Sequence, residues 1–237
     1  MNYLLLLFFG LAPSIVWLLY FLQKDVHPED NRQVLKVFIY GFLAVVPTAL
    51  IQLGLSDFID GFLRPSILRT SLILFLVIAL TEEIFKYLVV KNKVLSNPEF
   101  DEPIDLPLYL IISALGFAAA ENMLVIWGLG IFSITFEKTL FLSAFRFISA
   151  TFLHALASGT LGIFLALGFY KAKFRKRLFL LGFVLAISLH GLYNFSIMVI
   201  GGSARFLIPV LILVNLALVL SLGLRKLKEL KSVCEIK

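Results

Sequence analysis

The sequence predicts an all-α, polytopic membrane protein, a bundle of about seven transmembrane helices, and two observations support this fold class. Of the 237 residues, 60% are hydrophobic and 15% are charged, whereas a soluble domain is about 45–50% apolar and about 25% charged. The apolar residues also form runs of about 20 or more, long enough to cross about 30 Å of hydrocarbon as helix. These runs lack the alternating pattern of a membrane barrel.

Seven spans follow from these runs in chain order. We expect them at about residues 3–22, 34–55, 66–90, 106–131, 139–170, 178–200 and 205–224. The first run has no basic residue before it and no cleavage site after it, so it should remain as a helix. The fifth is too long for a perpendicular span and should tilt or project from the bilayer. The chain is therefore expected to be one integral-membrane domain, 1–237, with a basic cytoplasmic tail at 225–237.

The distribution of Lys and Arg predicts the orientation. With the N-terminus outside, fifteen of the 21 basic residues lie in cytoplasmic segments and four lie in external ones. Positive residues concentrate at the cytoplasmic face, so the prediction is N-out, C-in. The net charge of +6 is accounted for by this topology and by anionic lipid at the inner face. No nucleic-acid partner is expected.

Ionisable residues and amides lie deep inside four of the runs, where a charge costs about 2.5–3.5 kcal/mol to insert. They are Glu82, Glu83 and Lys86 in the third run, Glu121 and Asn122 in the fourth, Arg146 and His154 in the fifth, and His190 and Asn194 in the sixth. At a rise of about 1.5 Å per residue, the glutamates and histidines all fall near the middle of the bilayer. We expect them to form one site.

Two histidines with several carboxylates favour a metal site, although one histidine alone on an apolar helix is more often structural. His154 and His190 are the expected ligands, and Glu121 is the expected third. This donor set suits Zn²⁺ with an open position, where the metal polarises a carbonyl and activates water. The chemistry implied is peptide hydrolysis inside the membrane, with Glu82 or Glu83 as general base.

The remaining polar residues have supporting roles in this interpretation. Lys86 lies four residues after Glu82 and three after Glu83, so it can neutralise one carboxylate while the other stays free; the spacing leaves open which. Asn194 either orients His190 or binds an oxyanion. Asn122 is expected either to form an inter-helix hydrogen bond or to support the site as an amide or oxyanion donor. Arg146 either neutralises carboxylate or binds a substrate carbonyl, and the structural alternative is a salt bridge to a loop near the outer face.

Small residues surround the proposed site and are expected to leave a lateral cleft beside it for an extended substrate strand. They are Gly116, Ala118, Ala119, Ala120, Gly159, Gly162 and Gly191.

Four motifs in this order resemble those of the PrsW family of intramembrane proteases, over roughly residues 25–200. The motifs are Glu82-Glu83-x-x-Lys86, Phe117-x-x-x-Glu121-Asn122, His154 with the small residues after it, and His190-Gly191-x-x-Asn194; the loop from His27 to Asp30 is also similar. The family is related to the Type II CAAX prenyl endopeptidases, whose second motif usually has His in place of Glu121. This difference favours the PrsW branch.

The resemblance implies a multi-pass enzyme of a prokaryotic plasma membrane that acts in a stress response. Its substrate would be a membrane-anchored protein, an anti-sigma factor cut at site 1 on its extracytoplasmic side. Two alternatives remain open: a proton- or cation-coupled transporter using the same buried cluster, and a non-catalytic receptor or scaffold. A transporter should show internal repeats or helices broken at matched positions, and neither is evident in the sequence.

The topology is testable with reporters. A C-terminal reporter that is active only in the cytoplasm should be active, and the same reporter in the loop before Lys138 should be silent, because the Lys and Arg asymmetry places them on opposite sides. A periplasmic-type reporter at the same two positions provides the control. The reverse pattern would contradict the N-out, C-in topology.

Overall fold

The computed structural model describes residues 3–24, 29–95, 102–130 and 135–230, and the regular elements in these ranges are all helices. In chain order they are α1 (Tyr3–Leu22), α2 (Asn31–Phe62), α3 (Ile67–Leu72), a π-helical segment (Ile73–Ala79), α4 (Leu80–Lys93), α5 (Asp105–Gly130), α6 (Phe136–Ile148), α7 (Ala150–Tyr170), a 3-10 turn (Ala172–Phe174), α8 (Arg175–Val199) and α9 (Ala204–Lys228). His27 and the last seven residues of the predicted tail lie outside the described ranges.

The described residues form seven long helical segments. By length and apolar composition, six of these segments could cross a membrane, counting α6 and α7 together. The seventh is the charged segment from α3 to α4, and the residues that flank its π-helical part are right-handed helical: Leu72 (φ −58°, ψ −44°) and Leu80 (φ −64°, ψ −50°). The predicted all-α polytopic fold is confirmed. α9 continues to Lys228, so the predicted tail begins within a helix.

The fifth predicted span is broken into two helices, and its tilt or projection from the bilayer stays a prediction. Ser149, at φ −121° and ψ −92°, ends α6 and precedes α7. A break frees backbone carbonyls that must find other donors in the membrane, and the indole N–H of Trp17 donates to the carbonyl of Phe147 at 2.7 Å. The hydroxyl of Ser143 donates to the carbonyl of Phe9 at 2.8 Å. α1 therefore holds α6 at the break.

Small residues bring neighbouring helices into close contact rather than lining a cleft. A Cβ atom on Gly116 would lie 2.1 Å from the carbonyl oxygen of Phe38 in α2, and one on Gly191 would lie 2.4 Å from the ring of Phe75 in the π-helical segment. Close approach at small residues drives helix association in lipid, where apolar burial gives little. The expectation that these glycines leave an open cleft is therefore wrong.

The contact between α2 and α5 predicts a clear effect of one methyl group. Gly116→Ala should lower the stability by about 1–3 kcal/mol, because the new Cβ must push two backbones apart. Gly128→Ala in the same helix is the matched control, since nothing lies within 4 Å of its Cβ position and alanine favours helix by up to about 1 kcal/mol. The measurement is thermal unfolding of purified protein in detergent; equal midpoints for the two variants would contradict the close contact.

Candidate active site

The charged residues of four helices meet in one buried cluster. α4 contributes Glu82, Glu83 and Lys86, α5 contributes Glu121 and Asn122, α7 contributes His154, and α8 contributes His190. The two imidazole rings lie with their centroids 5.1 Å apart and their planes perpendicular. The structure thus brings together all the glutamates and histidines that the sequence analysis singled out within the spans.

Lys86 lies at the centre of the cluster and is fully buried. Its ammonium nitrogen lies 2.8 Å from Oε1 of Glu83 and 3.4 Å from Oε2 of Glu82. It also lies 2.8 Å from Nδ1 of His154. An ammonium has three hydrogens to donate, so these contacts occupy all of them, and Lys86 joins α4 to α7.

The two adjacent glutamates have different environments. Glu83 accepts from Lys86, from the hydroxyl of Ser158 at 2.7 Å, and contacts Nδ1 of His190 at 3.0 Å. Glu82 is held more loosely, by Lys86 and by the amide of Gln52, both at 3.4 Å. Glu83 is therefore fixed in place by its neighbours, and Glu82 is the freer of the pair.

Glu82, His154 and His190 form a group that could hold a metal ion, with one ligand atom from each within 4.8 Å of the others. Oε2 of Glu82 lies 3.7 Å from Nδ1 of His154 and 3.7 Å from Nε2 of His190. Tetrahedral Zn²⁺ with bonds of about 2.0–2.1 Å separates its ligand atoms by about 3.4 Å, close to these two distances from Glu82. An ion there would take the place of the Lys86 ammonium beside Nδ1 of His154.

The second nitrogen of each imidazole is held by a carboxylate. Nε2 of His154 lies 2.8 Å from Oε2 of Glu121, and Nδ1 of His190 lies 3.0 Å from Oε1 of Glu83. Metal-binding histidines almost always have such a partner, which fixes the ring and its tautomer. The residues present therefore fit a divalent metal. In this geometry Glu82 completes the ligand group, whereas Glu121, the third ligand expected from the sequence, orients His154 from the far side.

Glu121 lies at the open edge of the cluster. Its side chain is 30% exposed, whereas those of Glu82, Glu83, Lys86 and both histidines are at most 4% exposed. Oε2 of Glu121 also lies 3.5 Å from the guanidinium of Arg146. Arg146 therefore lies where it can neutralise the carboxylate of Glu121, which is one of its two expected roles.

The two asparagines differ in their contacts. Asn122 accepts from Arg146 and donates to Thr151 at 3.0 Å, so it makes the expected inter-helix bond. Asn194 is half-buried, and within the described part of the chain it has no hydrogen-bond partner. Glu83, rather than Asn194, holds the ring of His190.

Two features of the site were not predicted from the sequence. Gln52 donates to Thr81 at 3.2 Å and to Glu82, and its signal was a single amide in the apolar run of the second span. The π-helical segment immediately precedes Thr81 and Glu82; such segments are frequent at functional sites, and nothing in the sequence indicated it.

A buried group of histidines and carboxylates in a polytopic bundle is typical of membrane-embedded metallohydrolases. Residues 29–222 match the family model described as PrsW family intramembrane metalloprotease, and the chain belongs to this family. Relatives named Protease PrsW are 32% identical in Oceanobacillus iheyensis, 34% in Geobacillus kaustophilus and 29% in Bacillus subtilis. These alignments cover 86%, 80% and 94% of this chain and 88%, 78% and 94% of the relatives.

No solved structure matches the chain significantly. The family and its bacterial members identify the protein as a membrane-embedded peptidase, a multi-pass protein of a prokaryotic plasma membrane. Its substrate is therefore a protein within the bilayer. The transporter interpretation is not favoured by these findings.

The central position of Lys86 predicts its effect on stability. Lys86→Met should destabilise the protein by about 3–5 kcal/mol, because it leaves a buried carboxylate without its counter-charge. Lys91→Met, at an exposed position of the same helix, is the matched control and should change little. Adding Glu83→Gln to Lys86→Met should restore part of the loss. Unfolding in detergent measures all three, and a Lys86→Met protein as stable as the Lys91→Met control would contradict the buried ion pair.

Proposed function

We propose that this chain hydrolyses a peptide bond of a membrane-anchored protein with a divalent metal, zinc by its donor set, held by Glu82, His154 and His190. The observation that carries the proposal is the arrangement of the two imidazoles. Each presents one nitrogen to Glu82 and has the other nitrogen against a carboxylate. When bound, the metal supplies Lewis-acid chemistry, polarising the peptide carbonyl and acidifying water.

The chain's own residues supply the positioning of the ligands and the transfer of the proton. Glu83 holds His190 and pairs with Lys86, so it is a positioning residue. Glu121 is the proposed general base: Oε2 contacts His154 and Arg146, whereas no hydrogen bond from a described residue reaches Oε1. That free oxygen lies at the open edge of the cluster, on the far side of the His154 ring from Glu82, so it would take up the proton of the attacking water through one intervening water molecule.

Asn194 is proposed to stabilise the developing oxyanion. It lies one helical turn after His190, and its amide is half-buried without a partner in the described ranges. An amide N–H already placed in a site of low dielectric donates to the negative oxygen of the tetrahedral intermediate at little reorganisation cost. This assignment keeps one of the two roles that the sequence left open for Asn194.

The proposed substrate is a single-pass membrane protein, and specifically an anti-sigma factor cut on its extracytoplasmic side. The support for the anti-sigma factor is the resemblance of the four motifs to the PrsW family. The predicted N-out orientation places the outer ends of α3 and α6 on the side where such a cut would occur. We also propose that residues 1–237 form one integral-membrane peptidase domain.

Metal content and cleavage can be measured on the same purified full-length variants. Wild-type protein should hold about one equivalent of divalent metal and cleave a membrane-anchored anti-sigma factor in proteoliposomes. Glu82→Gln, His154→Ala and His190→Ala should lose both properties. Glu121→Gln should keep the metal and lose cleavage by about 10²-fold or more, the usual effect of removing a general base. Glu137→Gln, an exposed glutamate of α6, is the control and should retain both.

The outcomes separate the parts of the proposal. Full activity without metal would overturn the metal mechanism. Metal lost in Glu121→Gln and kept in Glu82→Gln would restore Glu121 as the third ligand. If other single-pass proteins are cleaved and anti-sigma factors are not, the result would support the peptidase activity and contradict the anti-sigma factor as substrate.

A further inference from the structure

A groove of about 620 Å³ lies between α1, α7 and α9, with the end of α6 at its rim. None of the residues of the catalytic cluster lines it. Exposed residues on both sides, such as Val16 and Ser221, show that it opens toward the surrounding lipid. Its floor is formed by buried leucines, Leu156, Leu220 and Leu224.

One wall of this groove is a rigid stack of aromatic rings. The indole of Trp17 lies parallel to the ring of Phe152, with centroids 4.2 Å apart, and close to parallel to that of Phe147 at 5.1 Å. The indole N–H is already used by the carbonyl of Phe147. The wall therefore offers a preformed apolar surface with no unsatisfied donor from the indole, which suits a hydrocarbon chain.

The opposite end of the groove carries three cations, Lys24, Arg225 and Lys228. The ammonium of Lys228 donates to the backbone carbonyl of Lys24, which ties the end of α9 to the end of α1. The ammonium of Lys24 lies 4.5 Å above the ring of Tyr20. All three cations are exposed, and none forms a salt bridge with a carboxylate in the described ranges. The groove thus ends in concentrated, unneutralised positive charge.

We propose that this groove binds one phospholipid with an anionic headgroup. The acyl chain lies along the aromatic wall, and the headgroup phosphate is bound by Lys24, Arg225 and Lys228. The volume falls within the range of small-ligand sites, about 300–1,000 Å³. The division into an apolar length and a cationic end matches an anionic lipid, and basic residues at the membrane surface attract such lipids.

Other occupants match the groove less well. A transmembrane segment of a substrate is a cylinder about 10–12 Å wide, and helices dock along small residues, whereas this wall is built of bulky aromatic rings. Free phosphate would leave the apolar length unfilled. A zwitterionic lipid has the chain but no net charge for the three cations.

The test uses the fluorescence of Trp17 in the full-length protein. Trp17 and Trp127 are the only tryptophans, so Trp127→Phe leaves Trp17 as the sole reporter. The protein is reconstituted in phosphatidylcholine with increasing fractions of phosphatidylglycerol brominated on its acyl chains, or of equally brominated phosphatidylcholine. Bromine quenches only nearby tryptophan, so brominated phosphatidylglycerol should quench at a markedly lower mole fraction.

Two triple variants separate the groove from general surface charge. Lys24→Gln/Arg225→Gln/Lys228→Gln should reduce the apparent affinity for brominated phosphatidylglycerol by about tenfold or more, given the attraction of three basic residues to anionic lipid. Lys171→Gln/Lys173→Gln/Lys176→Gln removes three exposed cations outside the groove and should retain the preference. In protein with its groove cations intact, the preference should also weaken as salt is raised, which needs no charge variant.

Three results would overturn the proposal. Equal quenching by the anionic and the zwitterionic brominated lipid would remove the headgroup selectivity. An equal loss in both triple variants would assign the effect to the membrane surface as a whole. Relief of the quenching by a membrane-anchored substrate would assign the groove to the substrate helix.

Discussion

The interaction on which the site depends is the buried ammonium of Lys86. It neutralises carboxylate within its own helix, where its nitrogen lies 2.8 Å from Oε1 of Glu83, so it sets the charge balance of the cluster. The cluster holds three carboxylates, Glu82, Glu83 and Glu121, against the cations of Lys86 and Arg146. The surplus of negative charge lies in a medium that screens poorly, so a bound divalent cation would interact strongly with it.

The spans and most of the cluster could be predicted because charge is costly in hydrocarbon. Glu82, Glu121 and His190 stand out in apolar runs without any knowledge of their neighbours. The proposed third ligand could not be predicted, because it depends on which nitrogen of His154 faces Glu82 and which faces Glu121. The orientation of the His154 ring is set by side chains on other helices, so the spacing of residues along one helix does not predict it.

Other features could not be predicted from the sequence because the same residue types are compatible with two different structures. A glycine such as Gly191 permits either an open cleft or a close helix contact, and only the position of Phe75 decides between them. The break at Ser149 lies within the fifth predicted span, and Trp17, far away in the chain, donates to the carbonyl of Phe147 beside it. Long-range donors of this kind leave no local pattern.

The placement of Lys86 on the same helix as both glutamates has a consequence for biogenesis. A nascent chain inserts its helices in order, and α4 enters the membrane before α7 and α8 have been synthesised. Because Lys86 lies three residues after Glu83, this ion pair can form within α4 alone. The charge of α4 can therefore be partly neutralised in lipid before α7 and α8 are inserted. The cluster is completed only when His190 is inserted, so under the proposed mechanism the growing chain gains its activity only when its own fold is nearly finished.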